Sequence, residues 1–272
     1  MTPEQDLRTA LILGSVFLLF ALVHLLITSE FIYGKFFHKP FFVHFYVFPK
    51  TLTDAQQLII HNNFQFYRSL SQKRKKYFEY RVAHFIRTYN FYGRENLEIT
   101  DEMKVLIAGT STMLTFGMRN PRYKVFDKII LYPDIYFSEQ NETYHKGEFN
   151  PKLKALVFSW KHFKDGLEVS NDNLNLGLHE FSHTLHFQSV KTKTISANIY
   201  VENFQKLKRQ LADDNLKEKI IHSHYFRRYA FTNEVEFIAV ILENFFETPE
   251  VFKREFPELY LHVKRMINYR ES

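Results

Sequence analysis

The sequence predicts a mixed fold of helices and strands in which helices dominate, set behind a single helix apolar enough to cross a membrane. Three observations carry this reading. Residues 9–29 contain no Asp, Glu, Lys or Arg. Helical signals occupy most of the remaining chain, while Asp127 to Pro133 and Leu156 to Trp160 are rich in β-formers and read as strands. Further on, His179-Glu180-Phe181-Ser182-His183 places two histidines four residues apart among apolar neighbours spaced as on a helix.

From the amino terminus, the charge-free run of 21 residues would make a helix of about 30 Å, one hydrocarbon thickness. A single-pass membrane anchor is the reading it favours. A cleaved signal peptide is the rival, but Glu4 and Asp6 stand beside a lone Arg8 and no clear small-residue cleavage site follows. A buried core helix is the other rival, weakened by the lack of any polar face. Lys35, Lys39 and Lys50 follow the span against Arg8 before it, which favours a cytoplasmic carboxyl-terminal part. Phe36 to Tyr46 mixes aromatic and basic residues, as expected of a headgroup region or of a packed edge strand. The expected division is residues 1–50 as anchor and juxtamembrane segment and 51–272 as one globular domain.

Within that domain, helices are expected near 53–70, 72–90 and 101–116, the last begun by Thr100 or Asp101. Phe78, Val82, Phe85 and Tyr89 give the second its core stripe. Its basic start, Lys73-Arg74-Lys75-Lys76, is the one tight cationic run in a chain of net charge +6, so it reads as a solvated end or a contact to anionic lipid. No nucleic-acid module is visible. With no Cys, disulfides and thiolate metal sites are excluded.

On a helix, His179 and His183 lie on one face and both reach one small cation, the arrangement of a catalytic zinc site. Glu180 lies too far round the helix to ligate easily and is free to hold the attacking water. The competing reading is a polar surface stripe. A third ligand is needed, and Glu236 stands out as hydrophilic among Val235, Phe237, Ile238 and Val240. Asn233, three residues earlier, allows the other reading, a capping box in which the carboxylate turns back to the backbone. Between the two lies Asn203 to Ile221, which reads as a helical insertion. His186 is not taken as a ligand because the remaining pattern of a longer histidine motif is absent. His222 and His224 read as exposed loop residues.

Leu178 to His183, Tyr229 to Val240 and Glu243 to Phe246 resemble the Mlc titration factor A (MtfA) family of zinc peptidases. Thr100 to Met103, Ile130 to Pro133, His145 to Glu148 and Val157 to Trp160 extend the resemblance over roughly residues 65–260, in family order. It implies an α+β fold, a helix-rich zincin-like metallopeptidase core with a small sheet; the one transmembrane helix that precedes it here is a departure from the family's soluble members. It also implies one Zn2+ per chain, held by His179, His183 and Glu236, with Glu180 activating water. Tyr229 stands where the family's active-site tyrosine does, placed to donate to the oxyanion, although ordinary aromatic packing explains such a residue too. Glu243 would share a face with Glu236 and is a candidate to orient a ligating imidazole. Leu156 to Trp160 is the candidate sheet edge for extended substrate. The implied activity is hydrolysis of peptide or protein substrates, with aminopeptidase-like action suggested. The alternative is a membrane-tethered binder that sequesters a cytoplasmic transcriptional regulator, since the family is named for titrating the repressor Mlc.

Overall fold

The computed structural model describes residues 3–46, 49, 51–119, 121–138, 142–169 and 171–270; Lys50, one of the flanking cations, lies outside them. The first helix, α1, runs Pro3–Phe37. Its 35 residues span about 50 Å, longer than a hydrocarbon core, and its most apolar window has mean hydropathy 2.7 with none of it buried. Only its last turns touch the domain. Gly34 is buried against Ile195, Glu30 pairs with Arg119, and beyond the helix His38 Nδ1 lies 3.0 Å from Glu202 Oε2. Residues 41–46 form no strand: His44 stacks on Tyr77, while Phe41 and Phe45 stay exposed.

Four helices follow: α2 (Asp54–Asn63), α3 (Gln65–Ser69), α4 (Gln72–Thr88) and α5 (Asp101–Thr115). The single helix expected near 53–70 is broken at Phe64, whose φ of −118° and ψ of 102° are extended. The break turns its ring inward, so close to Gly109 of α5 that a Cβ there would meet it at 2.5 Å. In α4 the stripe Phe78, Val82 and Phe85 is buried as its spacing requires, and Tyr89 closes the helix. Its basic start is less solvated than expected. The Arg74 guanidinium lies over the Phe116 ring and donates to Arg270 O at 3.1 Å.

The sheet has the order β1-β2-β6-β5. Strands β1 (Asn90–Gly93), β2 (Lys128–Tyr132) and β6 (Ala155–Ser159) run parallel, and β5 (Gly147–Asn150) pairs antiparallel with β6. A separate hairpin joins β3 (Tyr136–Ser138) and β4 (Thr143–His145). The expected strands appear at both places, but the expected edge does not. Every residue of β6 is buried between β2 and β5, so its backbone groups are committed to neighbours and the edge beside the site is β5.

The carboxyl-terminal half is helical: α6 (Trp160–Glu168), α7 (Leu176–Lys191), α8 (Ile195–Leu211), α9 (Asp214–Ser223), a 3-10 turn (Arg228–Phe231), α10 (Glu234–Glu247), α11 (Pro249–Glu255) and α12 (Pro257–Met266). Asn203 to Ile221 is not an appended insertion. It belongs to two helices, and α8 starts earlier, buries Tyr200, Phe204 and Leu207, and packs on α7 and α12. The centre of the molecule is α7, wedged between the sheet and α10. Phe181 is wholly buried there, its ring centroid 5.8 Å from Phe158, 6.0 Å from Phe85 and 5.9 Å from Tyr123. Gly177 lets the helix come this close, because a Cβ would meet the Phe163 ring at 2.6 Å.

Candidate metal centre

Helix α7 begins at Asn175, whose side chain accepts from the Leu178 amide and so sets the phase of the turns that follow. In that phase Phe181 faces the sheet and His179 and His183 face α10. The two imidazole Nε2 atoms approach to 3.0 Å. Asn233 caps α10 by accepting from the amides of Val235 and Glu236, so the Glu236 carboxylate is not needed at its own helix start. It points across to α7, with Oε2 3.1 Å from His179 Nε2 and 3.5 Å from His183 Nε2. The choice left open by the sequence, cap or cluster, is thereby settled for the carboxylate's direction.

These three donor atoms suit a small cation. Four-coordinate binding at about 2.0–2.2 Å separates the donors by about 3.3–3.6 Å, close to what the cluster holds. Glu236 Oε2 is moreover buried without a well-aligned hydrogen bond, as expected of an atom whose partner is an ion. Burial would raise the Glu236 carboxyl, but the facing imidazoles of His179 and His183 outweigh it and hold it well below the usual carboxylate range.

Behind His179 lies a buried support. Nδ1 donates to Glu243 Oε1 across 2.6 Å, which directs Nε2 into the cluster. Glu243 is almost inaccessible and fully engaged: Arg227 grips both its oxygens, at 2.7 and 2.9 Å, and the Asn175 amide donates to Oε2 at 3.0 Å. Glu243, the sequence's candidate to orient an imidazole, contacts that of His179. Arg227 carries no local signal, because its partner lies 16 residues away on another element. For His179 burial favours the neutral ring, yet Glu236 and Glu243 prevail and push its pKa up to about 9 in the absence of a cation.

Glu180 is buried beside the cluster, and burial raises its carboxyl above the usual range against the pull of His179 and His183. Gly147 of β5 makes room for it: a Cβ there would lie 3.0 Å from Glu180 Cγ and 2.9 Å from Leu176 Cδ1. Tyr229, half exposed on the 3-10 turn, has its ring 6.0 Å from His179. Burial, then the carboxylates of Glu236 and Glu180, push its phenol up to about 12, so it stays a proton donor. A cleft of about 410 Å3 opens onto His179, Glu180 and Tyr229 and continues past Gly147 and His162. His186 turns elsewhere, its ring 4.6 Å from Phe204, and His222 and His224 are exposed.

The family profile for glucose-regulated metallo-peptidase M90 matches residues 46–268. An uncharacterized protein of Synechocystis is 26% identical over 236 residues, covering 79% of this chain and 83% of its own. Mlc titration factor A of Serratia proteamaculans is 24% identical over 187 residues, covering 63% of this chain and 71% of its own. Mlc titration factor A of Yersinia pestis is 28% identical over 123 residues, covering 43% and 44% respectively.

Proposed function

The chain belongs to the glucose-regulated metallo-peptidase M90 family, and from that premise we propose that it is a membrane-anchored, zinc-dependent peptidase. The observation that carries this is the convergence of His179, His183 and Glu236, with Glu180 buried at their side. One Zn2+ held by those three residues would supply Lewis-acid activation of water and of the scissile carbonyl. Glu180 takes the proton of the attacking water and passes it to the leaving amine, a role its raised pKa suits. Tyr229 donates from its phenol to the developing oxyanion. Glu243, locked by Arg227, holds the His179 ring in one orientation and one tautomer.

Extended substrate pairs with the free edge of β5, since β6 is interior. Aminopeptidase-like trimming of short peptides is the finer reading. Residues 51–272 form the catalytic unit. Helix α1 anchors it as a single span, and Lys35 and Lys39 after the span, against Arg8 before it, support a cytoplasmic position for that unit. Peptides or proteins are its substrates, and no nucleic acid is expected.

Cleavage of a mixed peptide library by the zinc-loaded full-length protein tests this. Glu180→Gln should keep zinc and lose turnover, whereas His183→Ala should lose both. Equal turnover by wild type and Glu180→Gln would overturn the peptidase reading. A second reading, sequestration of a regulator, is favoured by the relatives named Mlc titration factor A. Capture of one regulator by wild type and Glu180→Gln alike, without hydrolysis by either, would support it.

A further inference from the structure

A second cavity, of about 360 Å3, lies between α4, α5 and the coil around residues 43–46, and it shares no lining residue with the cleft. Arg81, Arg119 and Arg122 line it, and among the described residues that line it there is no Asp or Glu. Arg81 is buried. Its guanidinium donates to Thr115 O at 2.9 Å, Phe116 O at 3.1 Å, Met118 O at 2.7 Å, Tyr46 Oη at 2.7 Å and Val43 O at 3.5 Å. All five acceptors are neutral, so the charge is solvated but not cancelled, a costly state for a buried cation. Burial and then Arg81, Arg74 and Arg270 push the neighbouring His44 imidazole down to about 2, a second sign of a cationic field here. Ser111 and Thr112, both buried, add hydroxyls to the wall, and Arg122 is exposed in the lining.

Position narrows the occupant. Glu30 is the first charged residue after the charge-free run of α1, and Arg119 in the cavity wall pairs with it. The same guanidinium lies 3.9 Å from the centre of the Phe42 ring, in a segment that also exposes Phe41 and Phe45. If α1 spans a bilayer, this wall sits at the headgroup level. The Arg81 nitrogens are engaged and Arg119 is paired, so Arg81 supplies charge while the Arg122 guanidinium and the nearby hydroxyls are the groups suited to hold phosphate oxygens.

We propose that this cavity binds a phosphate-bearing anion, presented either by an anionic phospholipid headgroup or as free phosphate. Full-length protein in detergent, offered equal phosphatidylglycerol and phosphatidylcholine, is read by native mass spectrometry. One phosphatidylglycerol per chain should be retained with at least a tenfold preference. Arg122→Glu, an exposed change, should cut retention about tenfold without lowering the melting temperature, and Thr112→Val should weaken it several-fold. Calorimetric titration with inorganic phosphate separates the sources. Phosphate binding that Arg122→Glu abolishes identifies the free anion, and lipid retention without it identifies the headgroup. No lipid preference together with no phosphate binding, or a preference that survives both variants, overturns the site.

Discussion

Glu243→Gln tests the support behind the cluster without changing its shape. In the native protein the carboxylate accepts from His179 Nδ1, from two nitrogens of Arg227 and from the Asn175 amide. The amide keeps one oxygen acceptor, loses the charge and turns two donors toward groups that donate already. Its nitrogen therefore opposes Arg227 Nη1 and the Asn175 amide in one orientation, and Arg227 Nη2 and the His179 Nδ1 proton in the other. Relief in the second case requires moving that proton to Nε2, the atom that faces Glu236. Partners of this kind are worth about 10- to 100-fold in metal affinity, or about 1.4–2.8 kcal/mol. Leaving half of a buried ion pair adds a stability loss of about 1–3 kcal/mol, below the fully buried range because Arg227 is partly accessible. Zinc affinity by chelator competition, with a urea melt of the same sample, reads both. Zinc affinity within threefold of wild type in a folded variant would refute the idea that Glu243 positions His179.

Three further outcomes are expected. Gly147→Ala should lower peptide turnover about tenfold at a stability cost of about 1–2 kcal/mol, because its Cβ must displace Glu180 or Leu176; unchanged kcat would show that β5 yields freely. Burial, opposed by Asn175 and reinforced by Glu243 and Asp172, raises Glu247 to about 7, so the unfolded chain releases this proton first and stability falls as pH rises from about 4.5 through 7. Glu247→Gln should therefore raise the unfolding free energy read by urea titration at pH 8 by about 1–2 kcal/mol after allowance for solvent screening, and leave it unchanged at pH 4, whereas an equal gain at both pH values would contradict that origin. Phe181→Ala should cost about 3–5 kcal/mol in a urea titration, since the ring is wholly buried between α7 and the sheet, and a loss under 1 kcal/mol would mean the wedge collapses onto the gap.

Features encoded within one helix or one run of residues were legible before any packing was known. Four-residue spacing puts His179 and His183 on one face whatever surrounds them, and Asn175, Thr100 and Asn233 cap where local chemistry says they should. The apolar length of α1 is likewise legible residue by residue. Tertiary structure decided where groups from separate elements point. Whether Glu236 turns back to its cap or across to the imidazoles depends on α10 packing against α7. The grip of Arg227 on Glu243 joins a loop to a buried helix, and no periodicity announces it. The edge strand was misplaced for the same reason: β-propensity marks β6 as a strand, but only pairing with β5 makes it an interior one. Helical phase is a property of a few consecutive residues, while the direction of a carboxylate or the edge of a sheet is set by contacts between segments far apart in the chain.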